Sequence, residues 1–235
     1  MLTIVTWKWV PRMLNMRRVN YTADHVNRMG SMLRRHLDLP YKLICFTDNP
    51  EGIECETHPI PAPQLVKYGS CWNRLWLFSR EAAVHGDQLV SLDLDTVIVD
   101  NISSLFYRDD DFTIWQSNYP GCRYCGSIWM IKSGSHPEVW DEFDSSRLVR
   151  NSLKNRYEHP DCIAAKHLIG SDQTWMALKL PHAALWDTED GVLSYRLHAR
   201  DFLPVGARLV NFHGPEDPSL PGCQKDSPWI AEHWR

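Results

Sequence analysis

The first sixty residues carry strand patterns on either side of a helical pattern. Residues 2–9 form an apolar run rich in Val, Ile, Thr and Trp, and Tyr41–Thr47 is a second apolar run, so both are typical of buried strands. Between them, residues 21–37 place apolar side chains three and four positions apart, which predicts an amphipathic helix. Residues 53–60 alternate and predict a third strand. Because strands that alternate with helices are typical of a parallel sheet, the pattern indicates an α/β fold.

The remaining residues continue the alternation of helices and strands. Residues 71–84 predict a helix, one face of which carries four side chains: Trp72, Leu75, Trp76 and Ala83. In the run LVSLDLDTVIV, residues 89–99, the apolar stretch 89–92 predicts a further buried strand, which ends at Asp93-Leu94-Asp95. Other strands are predicted at Phe112–Gln116, 128–131 and 207–212, and other helices at 136–143 and 172–178, the last with Ser171 as its N-cap. We expect residues 1–235 to form a single domain, because no repeat, linker or shift in composition divides them.

Composition and charge exclude several classes of protein. The formal net charge is −4, and runs of like charge are short, which argues against a protein that coats nucleic acid. No apolar run approaches the ~20 residues of a membrane-spanning helix, and the first ten residues lack the cleavage site of a secretory signal. A soluble, cytoplasmic protein is therefore expected.

The cysteines agree with a reducing compartment. There are 7 of them, an odd number, spread over the whole chain, which argues against a disulfide scaffold. Cys122 and Cys125 form a lone C-x-x-C, whereas a zinc site needs four ligands and the sequence offers no second pair at suitable spacing. We therefore interpret these two residues as loop or core thiols.

The most informative motif is Asp93-Leu94-Asp95, which follows the apolar residues of the run 89–99. If this segment is a strand, its alternation directs both carboxylates to the same side, at the edge where open α/β sheets bind ligands. Two carboxylates held together repel each other unless a cation or a proton lies between them. A divalent ion is the simplest solution, and such an ion commonly bridges a nucleotide diphosphate.

Four motifs, in order along the chain, resemble those of family 8 and related glycosyltransferases of the GT-A fold. They are Arg74-Leu75 on a helix, Leu92-Asp93-Leu94-Asp95 at the end of a strand, Gly170-Ser171-Asp172-Gln173 at the start of a later helix, and Asn211-Phe212-His213-Gly214. The resemblance implies a GT-A type, Rossmann-like mixed sheet flanked by helices. It also implies transfer of a sugar from a nucleotide diphosphate, most simply UDP, to a hydroxyl acceptor with retention of configuration.

The resemblance also implies a set of site residues. Asp93, Asp95 and His213 would hold the metal. Two carboxylates with one imidazole suit Mn²⁺ better than Ca²⁺, and Mg²⁺ is the alternative ion. Residues 1–100 would mainly bind the nucleotide, and residues 101–235 would mainly bind the acceptor. The donor-binding residues would be Arg74, Asp93, Asp95, Gly214 and Lys225, and the catalytic residues Asp172 and Gln173.

The sequence departs from the family pattern in two places. Pro215-Glu216-Asp217-Pro218 follows Gly214 where family members usually carry a nearby Lys, and Lys225 comes after a longer loop. Cys125-Gly126-Ser127 replaces the usual Asn-x-Gly at the start of a strand, which leaves the donor sugar open. A nucleobase needs an aromatic face, for which the candidates are Trp7, Trp9 and Tyr21.

Other functions fit part of the same pattern. A phosphatase of the haloacid dehalogenase type would use Asp93 as its nucleophile, but its later acidic pair is not found, and 92 residues precede Asp93. An inactive sugar-nucleotide binder would keep the ligands without turnover. The acceptor of a transferase would be a glycan, a lipid-linked saccharide or a small molecule, with modified DNA as a lesser alternative, because the fold fixes the donor and leaves the acceptor open.

Overall fold

The computed structural model describes residues 1–9, 19–68, 71–117, 123–150, 155–157 and 172–235. The strands in these ranges are β1 (Leu2–Lys8), β2 (Tyr41–Thr47), β3 (Glu56–Pro59), β4 (Gln88–Leu92), β5 (Thr96–Ile98), β6 (Phe112–Gln116), β7 (Tyr124–Lys132), β8 (Leu148–Arg150), β9 (Asn155–Tyr157), β10 (Ala184–Trp186), β11 (Val192–Ser194) and β12 (Leu209–Asn211). The α-helices are α1 (Ala23–His36), α2 (Glu138–Asp141), α3 (Asp172–Lys179), α4 (Pro221–Asp226) and α5 (Trp229–His233). The 3-10 helices are Pro63–Tyr68, Cys71–Phe78, Arg80–His85, Ser103–Phe106 and Ser145–Arg147, and a π-helix spans Tyr195–Ala199.

A mixed sheet of seven strands, in the order β10-β6-β7-β4-β1-β2-β3, forms the centre of the fold. Strand β1 runs parallel to β2 and β4, whereas β7 is antiparallel to both of its neighbours, β4 and β6. A second sheet has the order β11-β12-β5, and β8 pairs with β9. The fold is therefore α/β with helices around a mixed sheet, as the sequence predicts.

The two faces of the central sheet are buried against different elements. Ile4, Cys45 and Val90 pack on the side that holds α1 and the small sheet, and their neighbours along the strands pack on the side of the 3-10 helices Cys71–Phe78 and Arg80–His85. Since strand residues alternate between faces, burial of both sets produces the near-continuous apolar runs seen in the sequence. No helix in the described ranges is long and apolar enough to cross a membrane.

Several predicted elements are confirmed within one or two residues. These are β1, α1, β2, β6 and α3, for which the predicted ranges were 2–9, 21–37, Tyr41–Thr47, Phe112–Gln116 and 172–178. The start of α1 is fixed locally, because the backbone N–H of Thr22 donates to Nδ1 of His25 at 3.2 Å. The predicted N-cap of α3, Ser171, lies outside the described residues.

The segment 71–84 is helical, but it forms two 3-10 helices, Cys71–Phe78 and Arg80–His85. A 3-10 helix has about 3.0 residues per turn, so the buried face advances differently from that of an α-helix. As a result, Ala82 is buried and Ala83 is exposed, so the prediction that Ala83 shares one helical face with the buried Trp72 and Leu75 was wrong.

Other predicted elements have different bounds. The strand at 53–60 is reduced to β3, the helix at 136–143 is reduced to the short α2, and the strand at 207–212 is reduced to β12. The strand at 128–131 extends backward to Tyr124, because Tyr124 and Cys125 pair with the end of β6. Strands β10 and β11 were not predicted, since each has only three residues and little pattern of its own.

Thiol reactivity gives a direct test of this packing. Burial raises the pKa of Cys45 to about 12 and that of Cys125 to about 11, so both stay protonated at neutral pH. Because the thiolate is the nucleophile, we expect both residues to react slowly with iodoacetamide in the folded protein and rapidly in urea. Mass spectrometry of the labelled peptides measures the two rates. Equal rates of Cys45 labelling in the folded and unfolded chain would contradict the packing. Cys122, the other member of the C-x-x-C, lies outside the described residues.

Candidate active site

The two aspartates of the Asp-Leu-Asp motif lie in a turn between two sheets. Strand β4 of the central sheet ends at Leu92, and β5 of the small sheet begins at Thr96. The predicted strand at 89–92 is confirmed, but the prediction that strand alternation orients the two carboxylates was wrong, because residues 93–95 are not part of a strand. The side chain of Leu94 between them is buried, which anchors the turn in the core.

Arg74 joins one of these aspartates to α3. Its Nη1 donates to Oδ1 of Asp93 at 2.5 Å, and its Nε and Nη2 donate to Oδ2 and Oδ1 of Asp172 at 2.7 and 3.0 Å. Arg74 is 3% exposed and Asp172 is 0% exposed. Burial lowers the pKa of Arg74, but the charges of Asp172 and Asp93 outweigh it and raise the pKa well above its usual value. The guanidinium is thus a permanent cation between two carboxylates.

A glycine in β7 allows this arrangement. The carbonyl of Gly126 accepts a hydrogen bond from Arg74 Nη1 at 2.6 Å, and its N–H donates to Oε1 of Gln173 at 3.0 Å. A Cβ atom at position 126 would lie 2.7 Å from Nη2 of Arg74, so a side chain there would displace the guanidinium. The sequence Cys125-Gly126-Ser127 therefore places the required glycine against Arg74.

The second aspartate of the motif contacts Tyr21. Burial raises the pKa of Tyr21 well above its usual value, and the nearby charges of Asp95, Asp93 and Asp217, with a hydrogen bond to Asp95, raise it further. Tyr21 therefore remains a neutral donor beside the carboxylate of Asp95. The sequence offered Tyr21 only as a face for a nucleobase, because no local pattern connects position 21 with position 95.

Strand β12 brings His213 toward the turn. It pairs antiparallel with β5, and the N–H of Phe212 donates to the carbonyl of Asp95 at 3.0 Å. The imidazole of His213 stacks on the buried Trp115 with ring centroids 5.6 Å apart, and its Nε2 lies 2.8 Å from Oγ of Ser194. The sequence predicted that this strand returns His213 toward the aspartates, but it gave no signal for the contacts with Trp115 and Ser194.

The side chains of Asp93, Asp95 and His213 are of the chemical types that bind a divalent cation. Asp93 and Asp95 supply carboxylates from one turn, and burial, with the charges of Arg196 and His198, lowers the pKa of His213 to about 4. The imidazole is therefore neutral at pH 7, as a metal ligand must be. In the described part of the chain, no three His, Cys, Asp or Glu side chains are grouped closely enough, as they stand, to hold a metal ion. Of the three proposed ligands, the two aspartates lie in the same turn, whereas His213 follows a different strand.

The other predicted donor-binding residues lie in different settings. Gly214 directly follows His213 and has a φ of +70°, a conformation that glycine adopts without strain. Lys225 is exposed near the end of the short helix α4. No contact of Lys225 with the aspartates is seen in the described residues.

Trp7 and Trp9, two of the three candidate faces for a nucleobase, differ in burial. Trp7 is buried, stacks on Phe46 with ring centroids 4.8 Å apart and donates through Nε1 to Ser91, so it belongs to the core. The interpretation of Trp7 as a nucleobase platform was therefore wrong. Trp9 is half-buried at the end of the same segment.

Solved structures with a similar fold are glycosyltransferases. The galactosyltransferase LgtC, in complex with donor and acceptor sugar analogues, matches with a TM-score of 0.61 and 11% identity over 98% of this chain and 96% of its own. The glycosyltransferase GlyE of Streptococcus pneumoniae TIGR4 matches with a TM-score of 0.60 and 12% identity over 94% of this chain and 57% of its own. No protein-family model and no curated protein sequence matches the chain. The chain therefore has the GT-A glycosyltransferase fold, and at these identities the likeness concerns the fold alone.

Proposed function

We propose that the protein is a metal-dependent glycosyltransferase that moves a hexose or pentose from a nucleoside diphosphate, UDP in the first instance, to a hydroxyl acceptor with retention of configuration. The observation that carries this proposal is the buried network in which Arg74 joins Asp93 of the turn to Asp172 of α3. The fold shared with LgtC, a galactosyltransferase seen with sugar analogues, supports the same class of reaction. Membership of family 8 stays a prediction.

The transfer itself explains why the site is so polar. The bond between the anomeric carbon and the diphosphate oxygen breaks, the acceptor oxygen bonds to that carbon, and the proton of the acceptor hydroxyl passes to an oxygen of the released diphosphate. Negative charge therefore grows on the leaving diphosphate, which must meet positive charge in the site. Arg74 is already committed to two carboxylates, so its part is to hold Asp93 and Asp172 together.

Asp93, Asp95 and His213 are the residues that would hold Mn²⁺ or Mg²⁺. Bound there, the ion would serve as a Lewis acid for the leaving diphosphate. Arg74 orients Asp93 through Oδ1, and Tyr21 hydrogen-bonds Asp95. Contacts of this kind behind metal ligands commonly change metal affinity about 10- to 100-fold.

The two residues at the start of α3 have different parts in this proposal. Both oxygens of Asp172 face Arg74, so we assign Asp172 the positioning of that arginine. Gln173 is half-buried and accepts the N–H of Gly126 through Oε1, which orients its amide. Its amide nitrogen is the donor that we assign to an oxygen of the transferred sugar.

The remaining roles are assigned separately to the two halves of the chain. We assign residues 1–100 mainly to the nucleotide and 101–235 mainly to the acceptor, and we assign Gly214 to the donor. A glycan, a lipid-linked saccharide or a small molecule is the proposed acceptor, and the cytoplasm is the proposed compartment.

A thermal-shift panel tests the function. We expect one nucleoside diphosphate among UDP, GDP and ADP to raise the melting temperature only when MnCl₂ is present, since a ligand at 100 times its Kd stabilises by about 2.7 kcal/mol. With that nucleotide identified, its sugar conjugates should release the free diphosphate. Binding without release would support the inactive binder. Hydrolysis of p-nitrophenyl phosphate that is lost in Asp93→Asn would support the phosphatase.

A further inference from the structure

Arg196 lies against the main chain of the segment that follows β12. Its Nη2 donates to the carbonyl of His213 at 3.0 Å, and a Cβ atom at Gly214 would lie 3.1 Å from the same nitrogen. The residue belongs to the π-helix Tyr195–Ala199, which begins directly after β11. A chain of short contacts therefore connects Arg196 with the aspartate turn, through His213 and the hydrogen bond from Phe212 to Asp95.

The charge around Arg196 is unbalanced. Arg196 donates through Nε to Oε2 of Glu216 at 2.9 Å, and Arg200 donates to the other oxygen of the same carboxylate. Two guanidiniums thus share one carboxylate, which leaves this cluster with an excess of positive charge. The Arg196 side chain is 35% exposed, whereas that of Glu216 is 15% exposed, so the arginine is the more accessible partner.

We propose that Arg196 binds the diphosphate of the donor, a part that the family resemblance assigned to Lys225. This inference rests on the proposed function. The guanidinium lies beside Gly214, where the lack of a Cβ leaves room for it, and a planar fork of N–H donors suits phosphate oxygens. Glu216 fixes the orientation of the fork through Nε, and the pairing leaves an excess charge for an anion.

Lys225 is the less suitable residue. It is exposed on α4, and residues 215–220 separate Gly214 from that helix. Arg196, by comparison, is hydrogen-bonded to the backbone beside Gly214 itself. A residue that is already positioned loses less conformational freedom when the ligand binds.

Binding of UDP and of uridine, both with MnCl₂, separates a phosphate contact from a structural effect. We expect Arg196→Gln to raise the Kd of UDP about 10- to 100-fold, the loss of one charge-assisted contact, and to leave the Kd of uridine unchanged. Calorimetry measures UDP, and an NMR titration measures uridine. Arg196→Lys, which keeps the charge, should recover part of the affinity for UDP.

Arg200→Gln is the matched control, because Arg200 pairs with the same carboxylate and lies over the ring of Tyr195. It should change the Kd of UDP less than about threefold, as should Lys225→Gln. A loss confined to Lys225→Gln, or equal losses of UDP and uridine in Arg196→Gln, would overturn the inference. Full UDP affinity in folded Arg196→Gln would overturn the inference and leave the proposed function intact. A wild-type protein that binds no nucleoside diphosphate would overturn both.

Discussion

Replacement of Asp95 by asparagine is expected to weaken Mn²⁺-dependent binding of UDP by at least about 100-fold, because a charged ligand of the proposed ion is lost. The fold should survive the change. The contact that connects Asp95 with β12 is made by its backbone carbonyl, which asparagine keeps. Calorimetry with UDP in the presence and absence of MnCl₂ measures the effect, and the melting temperature reports on folding.

Asp109→Asn is a suitable control for the loss of one negative charge. The side chain of Asp109 is fully exposed and lies 4.0 Å from the exposed Lys132, so its contribution to stability and binding should be small. A folded Asp95→Asn protein that binds Mn²⁺ and UDP as tightly as the Asp109→Asn control would remove Asp95 from the metal site.

The existence of the main strands and helices could be predicted, because burial and local turn residues determine them. Strand β2 matches its prediction at both ends, since an apolar run stands between Pro40 and Asp48. The break at Asp93–Asp95 could not be predicted in the same way. It arises because the chain passes from the central sheet to the small sheet, in which β5 pairs with β12, a partner more than one hundred residues later in the chain.

The helical type of 71–84 shows a second limit. Its apolar spacing fits an α-helix, but the segment must deliver Arg74 to Asp93, Asp172 and Gly126 simultaneously. Periodicity carries no information about such distant partners, and it did not distinguish a 3-10 helix from an α-helix in this segment.

Candidate site residues could be predicted where they belong to a recognisable sequence motif. Asp93, Asp95, Asp172 and His213 stand in recognisable patterns, although only the structure shows that Asp93 and Asp172 share Arg74. Arg196 has no pattern around it and depends on the approach of the π-helix to Gly214. A residue that depends on such a tertiary contact can be identified only when the fold is known.

The Arg74-centred network makes the strongest prediction about stability. Arg74→Met should destabilise the protein by about 3–5 kcal/mol, because removal of one partner leaves the buried carboxylate of Asp172 without its cation. Arg80→Met is the control, since Arg80 pairs with Asp141 in solvent and should contribute no more than about 1 kcal/mol. Urea unfolding followed by tryptophan fluorescence gives both free energies. The raised pKa of Arg74 means that the guanidinium keeps its charge in unfolding experiments at neutral pH.

A double variant separates the loss of a charge partner from the loss of packing. In Arg74→Met/Asp172→Asn the buried negative charge is gone, so most of the lost stability should return, and the two substitutions should be strongly non-additive. Binding of UDP should stay weak, because the hydrogen bond from Arg74 to Asp93 is then lost. If Asp172→Asn instead adds its own full cost to that of Arg74→Met, the two side chains act independently, and the buried pair does not hold α3 against the aspartate turn.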